Sequence, residues 1–428
     1  MTNATVRVGL LGCGNVGAGL VALLTRGPDE LAARSGVRLE LARVAVRSLS
    51  RERAVSLADG LVTTDADSVV RDPEVDVVVE VIGGIEPARS LILAALEAGK
   101  PVVTANKELL ANVGAELFEA AAVAGVDLLF EASVGGGIPL IRPLRESLAG
   151  ERITRVLGIV NGTTNFILTR MTEAGATYAD ALAEAQSLGY AERDPTADVE
   201  GYDAGAKAAI LATIAFGVRV VAGDVYREGI SGVTALDIAF AARMGYVVKL
   251  LAIAELVGDE VAVRVHPTMI PTTHPLAAVR DSFNAVFIEG DAVGELMLYG
   301  RGAGGMPTAS AVLGDLIDAS HNLRAGRSGR TAAMQRANIH PVDEISSQYY
   351  LSLEVADRPG VARDIFSVVA THGVSIRSME QEGLGDEARL ILITHLAPER
   401  AMQATLADLR ELDAVDRIGT LLRVVGQE

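Results

Sequence analysis

The segment Val6–Gly27, VRVGLLGCGNVGAGLVALLTRG, constrains the chain more than any other. Arg7–Leu11 has the look of a short buried strand. The residues AGLVALLTRG have the look of a helix, and between the two lies Gly12-Cys13-Gly14-Asn15-Val16-Gly17. Strand, GxGxxG turn and helix in that order form the dinucleotide-binding fingerprint. Gly12 permits the tight turn, Gly14 lets the backbone approach a pyrophosphate, and Gly17 allows close helix packing, with Asn15 and Val16 completing the turn.

The pattern continues as strand–helix alternation. Strands are expected at Arg38–Arg47, Val75–Ile82, Pro101–Thr104 and Val126–Glu131, with the helix ARSLILAALEAGK between the second and third of these. Such alternation builds a parallel, doubly wound sheet whose ligands lie beyond the carboxyl ends of its strands. Thr104 and Lys107 fall at one such end, where Lys107 meets cofactor or substrate or is simply a loop lysine. At the end of the second strand a free ribose 2′-hydroxyl would call for Asp or Glu. The residue there is Arg47, followed by Arg51 and Arg53. That favours a 2′-phosphate, hence NADP(H) over NAD(H).

Glu131–Leu144, EASVGGGIPLIRPL, leaves this sheet through three consecutive glycines. Backbone of this kind exposes carbonyl oxygens to a hard cation, with Glu131 supplying charge, or serves as a hinge. Strands follow at Ile153–Val160 and around Val261–Val265 and Ala285–Glu289, which points to a second, mixed sheet. Gly300–Ala311 is a glycine-rich entry to a helix whose N-terminus suits anionic cofactor groups.

Between the sheets lies Leu188–Lys207, LGYAERDPTADVEGYDAGAK, carrying Glu192, Asp194, Asp198, Glu200 and Asp203. Asp203 and Lys207 stand at i and i+4, one above the other on a helix. A carboxylate beside a shielded ammonium can order a hydroxyl and relay its proton. The same spacing fits an ordinary surface ion pair. The apolar continuation KAAILATIAFG points to burial, and lysine is scarce, occurring only as Lys100, Lys107, Lys207 and Lys249.

Composition closes off other classes. A formal charge of −17 argues against nucleic acid as a partner. No apolar run is long and charge-free enough for a bilayer, and the first residues enter a strand without a basic leader, so a cytoplasmic enzyme is expected. Cys13 is the only cysteine, which excludes a disulfide framework and a cysteine-rich zinc site. The histidines His266, His274, His321, His340, His372 and His395 show no metal-ligand spacing.

The organisation expected is a Rossmann-type domain over 1–137, to which the helix near 305–323 returns. A central α+β catalytic and dimerisation domain follows over 138–323, then an arginine-rich linker over 324–347. From 348 to 428 the pattern is βαββαβ, a ferredoxin-like module.

With GCGNVG, TANKELL, EASVGGGIPLI, NGTTNFIL and GYAERDPTADVEGYDAGAK in view, the chain resembles homoserine dehydrogenase over its whole length, and its tail is similar to an ACT domain. The resemblance implies reversible NAD(P)H-linked reduction of L-aspartate 4-semialdehyde to L-homoserine, in threonine, methionine and isoleucine biosynthesis. It makes Lys207 the acid/base and Glu192 and Asp203 substrate ligands, and it places Lys107 between substrate and nicotinamide. Glu131 and the carbonyls of Val134, Gly136 and Ile138 become a sodium site, and Gly189 and Gly304 approach the cofactor. A homodimer or homotetramer is expected. For the tail, Asp357 and Gly360 offer an ammonium acceptor and a backbone approach for a carboxylate, so the effector implied is an amino acid, by resemblance L-threonine. A dimerisation device is the plainer alternative for the module.

Two rivals remain. One is another nicotinamide dehydrogenase with such a tail, acting on phosphoglycerate or prephenate, which would be expected to use a catalytic histidine. The other is a sensor that binds NADPH and an amino acid without turnover. An aldehyde-oxidising thiohemiacetal route is disfavoured because Cys13 is committed to the dinucleotide turn.

Overall fold

Valine-rich segments of the first part form a sheet of six parallel strands. These are β1 (Thr5–Leu11), β2 (Arg38–Ala45), β3 (Val62–Thr63), β4 (Val77–Glu80), β5 (Val102–Thr104) and β6 (Leu128–Leu129) in a computed structural model that describes residues 5–329, 334–383 and 387–425. Their order is β3-β2-β1-β4-β5-β6, the doubly wound arrangement that the alternation implied. Side chains alternate between two cores, as the twofold period of a strand demands. Val6, Val8, Val77, Val79 and Val103 pack with the helices Asn15–Thr25 and Gly305–Arg324. Val78 and Val102 face the helices Ala88–Glu97 and Lys107–Ala124 on the other side. β4 and β6 are shorter than expected at both ends, β2 and β5 at one, β1 starts two residues earlier, and β3 was not anticipated.

The residues separate into two compact units, Met1–Val156 with Ala206–Asp224 and Asn284–Ala337, and Leu157–Gly205 with Val225–Phe283 and Asn338–Glu428. The chain passes from one to the other within β7 (Ile153–Ile159) and within the helix Tyr202–Phe216. It returns by β11 (Phe283–Gly290), which leads to β12 (Gly294–Arg301). Residues 330–333 of the expected linker lie outside the described residues. Those that follow are held by β-bridges, Arg219 to Arg336 in the first unit and Val261 to Ile339 in the second.

The second unit is built on the hairpin β9 (Tyr246–Val257) and β10 (Glu260–Pro271), paired antiparallel along its whole length. The edge of β10 away from β9 takes two parallel partners in succession. Arg264 and Val265 pair with β8 (Tyr226–Arg227), and Thr268 and Met269 pair with β17 (Val415–Val424). β17 belongs to the tail, whose remaining strands are β13 (Ser346–Ala356), β14 (Ile376–Gly383), β15 (Glu387–Thr394) and the short β16 (Ala397–Pro398). The order β17-β13-β15-β14, with helices Val361–Thr371 and Glu399–Arg410 packed over a core of Tyr349, Leu351, Ile365 and Leu406, is the ferredoxin-like βαββαβ fold. Among the described residues no helix is long and apolar enough to cross a membrane.

Candidate active site

The carboxyl end of the first sheet carries two adjoining cavities, both within the first unit. The larger, about 990 Å³, lies over the glycine turn and is bordered by Gly12, Gly14 and Asn15, by Arg47 beyond β2, and by Gly305 and Met306. Two glycines explain its shape. A Cβ on Gly17 would fall 2.2 Å from the Gly12 carbonyl oxygen, so the helix could not start so close to the strand. Nothing lies within 4 Å of a Cβ built on Gly14, which leaves its backbone open to a ligand. The residues therefore fit a dinucleotide. Arg53 is turned back onto the carbonyls of Ser48, Leu49 and Arg51, whereas Arg47 is exposed and makes no hydrogen bond or ion pair among the described residues.

The smaller cavity, about 290 Å³, brings Lys107 and Lys207 together with Ile82, Gly83, Ser133 and Gly136. Lys107 opens its helix directly after β5, where the Asn106 side chain caps Leu109 N at 3.1 Å. Lys207 stands on Tyr202–Phe216 with 8% of its surface exposed. One turn earlier on that helix Asp203 is also buried. In the second unit the Asn161 amide donates to Asp203 Oδ2 at 2.9 Å and to Asp198 Oδ1 at 2.7 Å. Asn161 also caps its own helix through Thr164 N at 2.8 Å, so one side chain fixes a helix start and the Asp203 carboxylate. Lys249, deeply buried in the second unit, is spent elsewhere. Burial pushes it down to about 8, and it donates to Asn165 Oδ1 at 2.9 Å.

Profiles of known families match nearly the whole chain. One described as the homoserine dehydrogenase NAD-binding domain covers residues 12–131, one described as homoserine dehydrogenase covers 139–317, and an ACT domain profile covers 349–414. A homoserine dehydrogenase of Corynebacterium glutamicum is 50% identical over 427 residues, spanning 98% of this chain and 96% of its own. The crystal structure of a homoserine dehydrogenase from Thiobacillus denitrificans superposes with a TM-score of 0.93 at 44% identity, covering 99% of this chain and 98% of that one. A hyperthermophilic archaeal homoserine dehydrogenase in complex with NADPH aligns at 31% identity and a TM-score of 0.64, over 74% of this chain and 98% of its own.

The chain belongs to the homoserine dehydrogenase family. As such it is a nicotinamide-dependent oxidoreductase acting on a CH–OH group, interconverting L-homoserine and L-aspartate 4-semialdehyde, with an ACT domain at its C-terminal end.

For a homoserine dehydrogenase, several expected residues stand in unexpected surroundings. Thr104 does not border either cavity. Its hydroxyl donates to Glu80 Oε2 at 2.6 Å and accepts from Asn106 N at 3.0 Å. Glu80, fully buried at the end of β4, also accepts from Ile82 N at 2.7 Å and Gly83 N at 3.1 Å, and so shapes the loop that borders both cavities. The sequence offered one signal for it, a carboxylate inside an otherwise apolar VVVEVI run. Gly304 caps Gly305–Arg324 beside the dinucleotide cavity, with φ +123°. Glu192 and Gly189 lie exposed in the second unit, and Asp357 and Gly360 form an exposed turn at the start of Val361–Thr371. Cys13 borders the dinucleotide cavity, and burial pushes its thiol up, away from nucleophilic use.

Glu131, expected to supply charge to a cation, turns its side chain toward main-chain donors. Its carboxylate accepts from the backbone amides of Leu140, of Ile141 at 2.8 Å and of Arg142 at 2.8 Å. A carboxylate at the start of a helical turn is captured by the unsatisfied amides there. Among the described residues no cluster of three or more His, Cys, Asp or Glu side chains could hold a metal. The neighbouring Gly135–Gly137 loop is pressed against Arg301–Ala303, with Gly137 N donating to Arg301 O at 3.0 Å.

The Glu131 amide itself donates to Asp315 Oδ2 at 2.7 Å, and Arg142 pairs with Asp315 Oδ1 at 3.0 Å. Burial pushes the Asp315 carboxyl up from 3.8 to about 7 against both favourable contacts. Between those two values the folded chain keeps a proton that the unfolded chain has released, so stability falls as pH rises through that window. Asp315→Asn is expected to flatten this slope, worth ~2 kcal/mol between pH 5 and 7.5. Urea midpoints at both pH values compare the two proteins; parallel curves would show that Asp315 ionises normally.

Proposed function

We propose that Lys207 exchanges the proton on the substrate C4 oxygen, with Asp203 and Glu192 binding the rest of homoserine and Lys107 standing between substrate and nicotinamide. The observation that carries this is the 290 Å³ cavity in which Lys107 and Lys207 meet beside the dinucleotide crevice. The nicotinamide, when bound, accepts or supplies the hydride at C4. In oxidation Lys207 takes the hydroxyl proton as that hydride leaves; in reduction its ammonium returns the proton to the forming alcohol. The loop next to the cavity packs closely on one side, because a side chain on Gly136 would fall 2.4 Å from Gly302 O.

The cofactor is NADP(H), read by Arg47, exposed beyond β2 at the border of the larger cavity. Arg47→Asp is expected to shift the ratio of kcat/KM for NADP to that for NAD toward NAD by roughly tenfold or more, the loss of one charge-assisted contact. Steady-state oxidation of homoserine with each cofactor, followed by nicotinamide absorbance, measures both the activity and the ratio. An unchanged ratio would mean that the 2′-phosphate is read elsewhere.

Glu131 and the main-chain oxygens of Val134, Gly136 and Ile138 hold a monovalent cation, sodium. The tail takes L-threonine at the Asp357–Gly360 turn, and the exposed edge strand β14 joins a second copy in a homo-oligomer.

A further inference from the structure

Arg423, near the end of β17, is enclosed, with 4% of its side chain exposed. Two corners of its guanidinium grip Glu399 of the same tail, Nε to Oε2 at 3.1 Å and Nη2 to Oε1 at 2.6 Å. The third corner, Nη1, leaves the tail and pairs with Glu228, which follows β8. Tyr226 sits under the guanidinium at 5.6 Å, and its hydroxyl donates to Glu228. A buried arginine divided between two carboxylates on different elements fixes one element against the other, since moving either would strand a charge.

The other side of the Tyr226–Ile230 segment bears on the turn that opens the catalytic helix. Ile230 N donates to Val199 O at 2.8 Å. Gly229 has no room for a side chain, because a Cβ there would lie 2.4 Å from Val199 O and 2.7 Å from Glu200 Cα. The Arg227 guanidinium lies over the Tyr202 ring at 4.7 Å, and its Cδ would be 2.7 Å from a Cβ on Gly205. Tyr202 and Gly205 flank Asp203. The turn is thus held between Asn161 on one side and the Tyr226–Ile230 segment on the other, with little slack at either.

We infer that Arg423 is a positioning residue for the dehydrogenase reaction: through Glu228 and the Tyr226–Ile230 segment it sets the Val199–Gly205 turn that carries Asp203. The inference rests on the reading of Asp203 as a substrate ligand. It makes the tail part of the active-site scaffold as well as a regulatory attachment, and it gives any ligand bound by the tail a packed route to the substrate end of the catalytic helix. Here the clamp is a property of this chain's own Glu228, Arg423 and Glu399.

The test uses full-length Glu228→Gln, Arg423→Lys and Arg423→Met. Glu228→Gln is expected to raise KM for homoserine and to lower kcat/KM by roughly 10–100-fold, the scale of a small misplacement of a binding group. KM for NADP and the affinity for NADPH, read by fluorescence, stay unchanged. Arg423→Lys keeps the charge and loses the fork, so it changes the same parameters less than Arg423→Met does. Wild-type homoserine parameters in Glu228→Gln and Arg423→Lys would overturn the inference. So would equal losses in homoserine and cofactor parameters that track the thermal midpoint, which would make the clamp structural only. If Arg423→Met fails to fold, the two conservative variants decide. Asp203→Asn runs alongside: unchanged homoserine KM there, with a raised KM in Glu228→Gln, removes the ligand reading of Asp203 and leaves the positioning role of Arg423 standing.

Discussion

Replacing Lys207 with alanine is expected to lower kcat for homoserine oxidation by roughly 10²–10⁴, the contribution of one well-placed general acid/base. NADPH should still bind, because Lys207 borders the smaller cavity and not the dinucleotide crevice. The helix should survive the change. Ala208, Ala209, Leu211 and Ala212 stay buried behind the substituted position, and alanine is a better helix former than lysine. Single-turnover absorbance changes with saturating NADP and homoserine separate chemistry from binding. A variant that keeps near-wild-type kcat would sink the assignment and turn attention to Lys107.

Ending the chain before Ser346 is expected to lower the thermal midpoint of the second unit by roughly 10 °C or more and to reduce activity with it. Three separate losses add up. β10 loses the partner of Thr268 and Met269, leaving an open edge. Glu228 loses its guanidinium. Asp237, only 3% exposed, loses the Tyr350 hydroxyl at 3.0 Å and the Thr420 hydroxyl at 2.7 Å. Scanning calorimetry of full-length and shortened protein measures the outcome, and an unchanged midpoint would show that the seam contributes nothing. Loss of threonine inhibition on truncation would therefore not separate effector binding from collapse. Asp357→Ala in the intact chain does separate them, because that side chain is exposed and takes part in none of these contacts.

Much of the first sheet was legible because its strands obey a strong local rule: buried on both faces, short, and ended by glycine or a helix. Gly12, Gly14 and Gly17 carried their own stereochemistry with them. β9 was not legible, since YVVKLLAIAELV is a continuous apolar run that fits a buried helix as well as a strand. Lys249 within it gave no warning of its burial. Asp203 and Lys207 were singled out by spacing, yet their surroundings depended on partners far along the chain. Asn161 reaches Asp203 across 42 residues, and Glu131 meets Asp315 across 184. Contacts at that separation leave no periodic trace. The surroundings of the Glu131 side chain were hidden for the opposite reason: the amides of residues 140–142 that donate to it carry no side-chain signature at all.

The place of β17 has a consequence for how the protein is made. It lies between β10 and β13, although the ribosome produces it after both. Until then β10 presents an unpaired edge at Thr268 and Met269, beyond the part covered by β8, and the strands destined for the tail wait without their interior neighbour. The strands of the first parallel sheet are complete by Leu129 and one of its faces by the helix Gly305–Arg324, while the second unit closes only when the final strand emerges. That interval is when an edge-to-edge encounter with another nascent chain is most damaging. A premature stop within β17 would accordingly be met by the cell as an unfinished fold and handed to chaperones and proteases, not tolerated as a slightly shortened enzyme.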